Sequence, residues 1–420
     1  MNFYCGSDQL YPIGFQYIQK KDFMLRYGGG MVVGTPPFRT CDNIGQLGNN
    51  NTTYTGTVPI PTCSRGMDWK FVCRSFYNTA AITCNGRLFT WGSNQCGQLG
   101  NSLAGTADKS TPVQVVGCDW RYVYPDGILN MYGIKNDGSV WCWGSNGVGG
   151  SLSTPVATTY GTGWKCIISN CDACYLMSES YEWYSLGRNC FGLLAAGVPY
   201  DNPPAGCISR SVLNSSALIV EDCSYVDRYT RFRELSTHRN STSVLAIGLD
   251  CHLYFWGRNQ CGWNIPLQSD QGVYCCEYNI PVQIPEMGNC WRKISLGFIS
   301  GAGITRNGEL YTWGCNCYGH LGDGTTVSSY CTSVTSGSCD WVDVHVGGFG
   351  SLITPGVGSF FMVATKKDGS LWAWGRNDCG QLGIGSTVPC VSTPVQVTNG
   401  GFKGWKNIGG HIGWSAIGIL

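Results

Sequence analysis

The sequence is poor in charge. Only 13% of its 420 residues are Asp, Glu, Lys or Arg, about half the share of ordinary soluble domains. The 27 basic and 26 acidic residues leave a formal charge of +1, so no basic excess announces a phosphate-neutralising surface and duplex nucleic acid is not an expected partner. No stretch of 18 apolar residues exists, so no membrane-inserted helix is expected. The first residues, Met1 to Asp8, lack the basic start and apolar run of a secretory signal. Long helix-period segments are absent too, which turns the reading away from helical classes.

What is present favours short strands and turns: 60 Gly, 16 Trp and 22 Tyr. The clearest unit is Asp368 to Gly385. Asp368-Gly369 suits a two-residue hairpin turn, Leu371 to Trp374 is a short aromatic strand, and Gly380-Gln381-Leu382-Gly383 forms the turn after it. Taking the Gly after each aromatic strand as a marker gives Gly92, Gly144, Gly187, Gly257, Gly314 and Gly375. Their spacing of roughly 43 to 70 residues is that of a four-stranded propeller blade with variable loops.

Upstream of most markers stands a Trp with an apolar residue three positions on: Trp69 and Val72, Trp120 and Val123, Trp164 and Ile167, Trp291 and Ile294, Trp341 and Val344. Leu10 to Gly14 and Asn43 to Gly48 read as a seventh copy split by an insertion. The C-terminus carries Trp405 to Ile408 and then only the upstream half. The two ends complement each other, so the expected fold is an all-β, seven-bladed β-propeller closed by pairing N- and C-terminal strands in one blade. It would form a single domain over residues 1–420, with insertions at about 15–40 and 195–228.

Leu-Tyr-x-Trp-Gly-x-Asn-x-x-Gly-Gln-Leu-Gly, Pro-Val-Gln-Val and Trp-x-x-Val-x-x-Gly together resemble the regulator of chromosome condensation repeat. That resemblance covers nearly the whole chain and implies a seven-bladed propeller. The founding member acts as a nucleotide exchange factor for a small GTPase on chromatin; other relatives sense ultraviolet light or serve as ubiquitin-ligase or GTPase-linked modules. The Gly-Trp-Arg-His-Thr pentapeptide of the light-sensing relative does not occur here. The tryptophans therefore read as packing residues between and within blades.

No Walker loop, dinucleotide fingerprint, His-Glu-x-x-His or nucleophile elbow is present, so neither an enzyme nor a cofactor is expected. Cys171 and Cys174, with Cys166 nearby, lack the second pair a structural zinc site needs, so no metal is expected. Among the 25 cysteines, Cys96 with Cys118 and Cys317 with Cys339 are candidate within-blade pairs, as disulfides or as buried thiols.

Recognition is expected where the repeat is broken. Lys20, Lys21 and Arg26 in the first insertion, and Arg228, Arg231, Arg233, His238 and Arg239 after the second, are the candidate partner-binding residues. His345 and His411 are candidates for the channel rim. Gly347 to Ser359 reads as a Gly-rich loop without a phosphate-cradle ending. The uncharged polar composition leads to a non-enzymatic interaction platform. The favoured context is a virus particle or extracellular assembly, with other proteins, including coat components, or surface glycans as partners. The alternative is an intracellular regulator, exchange-factor-like or a ubiquitin-pathway adaptor. Exchange activity on a GTPase, or isolation within a large particle, separates the two.

Overall fold

The computed structural model describes residues 30–33, 62–64, 68–75, 77–102, 107–126, 130–145, 151–170, 173–187, 190–195, 232–238, 241–259, 277–284, 290–334, 338–350, 358–377, 380–386, 388–398, 404–405, 407–409 and 416–419. Six blades are built from consecutive antiparallel strands. Their inner strands are Trp69–Arg74, Trp120–Asp126, Trp164–Ser169, Phe232–Thr237, Trp291–Leu296 and Trp341–Gly350. Five blades have four strands; the third shows three among the described residues, Trp164–Ser169, Ala173–Ser178 and Trp183–Gly187.

The expectation of seven blades is corrected to six. The part assigned to the seventh is a smaller sheet of segments three or four residues long, ordered Thr62–Ser64, Gly30–Val33, Ala416–Ile419, Asn407–Gly409. Its N-terminal strand is Gly30–Val33, inside the stretch read as an insertion, whereas Leu10 to Gly14 lies outside the described residues. Backbone pairing decides this sheet, and a three-residue strand needs no repeat motif to make it. Most of residues 15–40, and 196–228, likewise lie outside the described residues.

A second correction concerns the Gly-rich stretch. Gly347 to Gly350 extends the sixth inner strand, with Gly347 opposite Phe361 and Gly350 opposite Gly358. Only residues 351–357 between the two strands lie outside the described residues. Gly347 sits where a Cβ would come within 2.5 Å of the Phe361 ring, so glycine here serves packing.

The repeat motif has a mechanical meaning. In three turns an Asn side chain accepts from the Leu backbone of Gln-Leu-Gly or His-Leu-Gly: Asn94 from Leu99 at 3.1 Å, Asn316 from Leu321 at 2.9 Å, Asn377 from Leu382 at 3.1 Å. The turn then offers a carbonyl to the indole of the next blade. Trp143 Nε1 donates to Gln98 O at 2.9 Å, Trp256 to Leu193 O at 3.0 Å and Trp374 to His320 O at 2.9 Å. The third blade lost the Gln-Leu-Gly letters, yet its Leu193 carbonyl performs the same task. Gly322 must be glycine because a Cβ would lie 2.7 Å from the Trp374 indole nitrogen, and its φ is +75°. These aromatic side chains are fully buried, so each contributes area as well as a hydrogen bond.

Inner strands are tied to one another in turn. Cys73 Sγ donates to Val123 O at 3.3 Å, Tyr124 Oη to Ser169 O at 3.0 Å and Asn170 Nδ2 to Thr237 Oγ1 at 3.3 Å. Leu296 N then donates to Ser236 Oγ and Val346 N to Ser295 Oγ, both at 2.9 Å. The six blades thus form a continuous arc held at its centre by buried hydrogen bonds.

Candidate functional site

Every inner strand begins with the same irregularity. The pairing register shifts between the first residue and the third, at Trp69/Phe71, Trp120/Tyr122, Trp164/Cys166, Phe232/Glu234, Trp291/Lys293 and Trp341/Asp343. A bulge gives one residue no partner and turns it away from the ladder. That residue is Lys70, Arg121, Lys165, Arg233 or Arg292 in five successive blades and Val342 in the sixth. In a chain of net charge +1, five cations at one structural position on one face form a concentrated feature.

The ring has two sectors. In the first three blades the third residue is Phe71, Tyr122 or Cys166, all buried, with the Phe71 and Tyr122 rings 5.1 Å apart. The cations there point outward: Lys70 is exposed, Arg121 pairs with Glu179 at 2.5 Å, and Lys165 lies 3.8 Å over the Tyr181 ring.

In the next three blades the same positions are Glu234, Lys293 and Asp343. All three are buried, with the Lys293 ammonium 3.1 Å from Glu234 and 3.5 Å from Asp343. The bulged cations fold inward here. Arg233 donates to Trp291 O at 2.6 Å and Arg292 O at 2.9 Å, and Arg292 donates to Val342 O at 3.0 Å. Burial pushes Glu234 up to about 7, against the pull of Lys293 and Arg233. Asp343 is raised for the same reason. Burial opposes the charge on Lys293 but the two carboxylates outweigh it, so the ammonium stays charged and its affinity for the proton rises. One ammonium between two carboxyls leaves one acid able to take up a proton near neutrality.

Beside this sector the fourth blade departs from the repeat once more. Its hairpin turn is Asp250-Cys251, where other blades have Gly86, Gly138, Gly308 and Gly369; Cys251 takes a φ of +69°. Arg306 Nη2 donates to its sulfur at 2.7 Å.

Of the residues singled out from sequence, Arg233 joins the inner-strand layer. His238 is buried, with Nε2 3.1 Å from Gly348 O two blades away. His345 is buried on the sixth inner strand. Lys20, Lys21, Arg26, Arg228, Arg231, Arg239 and His411 lie outside the described residues. The cysteine pairings fail on geometry. Cys118 and Cys339 back onto the hairpin glycines Gly86 and Gly308, whereas Cys96 and Cys317 follow the other end of the intervening strand, about 17 Å away for five residues. All four are free thiols. Among the described residues no group of three metal-binding side chains converges. The bulged cations and the charged layer were missed because their members are scattered in sequence; reading the two residues after each blade Trp as a column reveals both.

A profile of the regulator of chromosome condensation (RCC1) repeat matches residues 85–123, 307–353 and 368–409, and a second RCC1 profile matches 71–98. These segments of the chain carry RCC1 repeats. The ultraviolet-B receptor UVR8 of Arabidopsis thaliana is 23% identical over 360 residues, covering 74% of this chain and 78% of UVR8. Human HERC2, an E3 ubiquitin-protein ligase, is 27% identical over 168 residues, 37% of this chain but 3% of HERC2. So small a share carries none of the ligase as a whole. In fold, human WBSCR16 aligns with a TM-score of 0.68 at 15% identity over 94% of this chain and 98% of its own. Prp20p of Saccharomyces cerevisiae aligns at 0.66 and 15%, over 94% and 91%. A propeller of RCC1 repeats fits a protein-interaction or regulatory role.

Proposed function

We propose that the protein is a non-enzymatic regulator that binds an acidic surface of a protein partner across the bulge face of its blades. The carrying observation is the placement of Lys70, Arg121, Lys165, Arg233 and Arg292 at the same bulge in five successive blades. Lys70 is exposed, and an acidic partner would compete with Glu179 for Arg121 and share Lys165 with Tyr181; Arg233 and Arg292 hold the frame. Opposite charge speeds encounter and selects partners more than it tightens them. The crystallised relative Prp20p is described by its binding to Gsp1p and histones, which makes an exchange-factor-like regulator the form tried first. None of the relatives named above points to a particle coat, an extracellular assembly or a glycan, so the reading moves to the regulator. The six charges outside the described residues, Lys20, Lys21, Arg26, Arg228, Arg231 and Arg239, extend the same proposal to the insertions.

The test is a panel of small GTPases loaded with a fluorescent guanine nucleotide. Accelerated release that is lost in a Lys70→Glu, Arg121→Glu, Lys165→Glu variant supports the reading. Release unaffected by the three reversals moves the site off this face. No binding to any GTPase removes the exchange-factor form, and cross-links in the native source then locate the partner.

A further inference from the structure

The opposite end of the fifth blade carries a second departure from the repeat, independent of the cation ring. In the turn after the third strand, the Asn that caps Gln-Leu-Gly is flanked by Ser93 and Gln95 in blade one, Arg258 and Gln260 in blade four, and Arg376 and Asp378 in blade six. In blade five both flanks are cysteine: Cys315-Asn316-Cys317. Asn316 is completely buried and held on every side. Its backbone N–H donates to Ser328 Oγ, its Nδ2 to Thr325 O and Val327 O at 3.1 Å each, and its Oδ1 accepts from Leu321 N. A pinned residue fixes the direction of its neighbours, and the two sulfurs end 2.9 Å apart, closer than unbonded sulfur atoms ordinarily rest. Cys317 is exposed and Cys315 half-buried, so a small molecule can reach them.

The Gln of Gln-Leu-Gly is also replaced here, by His320. It is fully buried, stacked on Phe360 with ring centroids 5.5 Å apart, and neither ring nitrogen has a hydrogen-bond partner. Neither ring nitrogen hydrogen-bonds the Cys315 sulfur, and burial holds the imidazole neutral at about 3, too weak a base to take a thiol proton, so the two thiols act without it.

We propose that Cys315 and Cys317 form a thiol–disulfide exchange site that takes small-molecule disulfides such as glutathione disulfide. Cys315 gives its proton to water, and the thiolate attacks one sulfur of the oxidant. One glutathione leaves as a thiolate and takes a proton, and a mixed disulfide remains on Cys315. The Cys317 sulfur then attacks Cys315 Sγ and loses its proton to the second departing glutathione. The dithiol is oxidised by two electrons, one glutathione disulfide is reduced to two glutathiones, and the turn is closed by one sulfur–sulfur bond. The buried Asn316 keeps both thiols in place for the second step, which makes that step intramolecular and fast.

The experiment incubates the reduced full chain with glutathione disulfide, quenches in acid, alkylates, and measures the mass of the peptide holding residues 315–317. The expected product has lost two hydrogens and resists alkylation. Cys317→Ser is expected to stop at a persistent glutathione adduct on Cys315. A peptide alkylated at both positions after exposure, or a Cys315 adduct that persists in the native chain, overturns the proposal.

Discussion

The two sectors of the inner layer solve one packing problem in opposite ways. Blades one to three fill the position after the bulge with Phe71, Tyr122 and Cys166; blades four to six fill it with Glu234, Lys293 and Asp343. Both sets are buried, on inner strands of the same register, so the backbone does not ask for charge. Desolvating an ion costs several kcal/mol, and a buried pair seldom returns more than it costs. The apolar sector therefore shows what stability alone selects. The charged sector instead links three blades through one ammonium shared by Glu234 and Asp343, while Arg233 and Arg292 donate to carbonyls of the next strand.

The comparison can be broken most forcefully at Lys293. Lys293→Met leaves two buried carboxyls without the ammonium that bridges them and should cost about 3–5 kcal/mol in denaturant unfolding. A loss under about 1 kcal/mol would place water or another cation in the layer. The equivalent apolar test is Trp374→Phe, which keeps the ring but strips the donor from His320 O; about 1–3 kcal/mol should be lost, the cost of a buried unsatisfied carbonyl.

Cys251→Gly sharpens the comparison from the side of the turn. Glycine removes the strain of a φ of +69° and restores the residue of four other blades, for a gain of about 1 kcal/mol offset by the lost contact to Arg306. The pH profile gives the finest distinction. Glu234 titrates at about 7 in the folded chain against 4.5 for a free glutamate. A raised carboxyl adds stability below 4.5 and loses it as the pH climbs through 7. Stability should therefore fall between pH 4.5 and 7 on account of this group, and Glu234→Gln should flatten the fall. Unfolding midpoints collected across that range check the slope.

The frame was legible because each of its letters has a local duty. Asn94, Asn316 and Asn377 cap turns, Gly322 admits an indole, and Trp143 and Trp374 reach the preceding turn. Such duties repeat, so a repeat in sequence reports them. The blade count was not legible at the termini, where Leu10 to Gly14 has the letters and Gly30–Val33, without them, makes the pairs. Main-chain hydrogen bonds close that sheet and main chain leaves no signature. The charged layer fell between these cases. Glu234, Lys293 and Asp343 occupy one column of the repeat, visible once the residues after the blade Trp are compared, but their partnership crosses blades and no single stretch contains it. His238 and Arg233 were singled out as surface charges for the same reason: a dense run of charge does not say which members turn inward.

Removing the whole charge set at once tests the central claim, that the layer in blades four to six serves something other than stability. The variant Glu234→Gln, Lys293→Met, Asp343→Asn, unfolded in denaturant at pH 7, should match the native chain within about 1 kcal/mol or exceed it by up to about 4 kcal/mol. A loss of more than about 3 kcal/mol, comparable to Lys293→Met alone, would contradict the account and return the charged sector to the fold's own foundations.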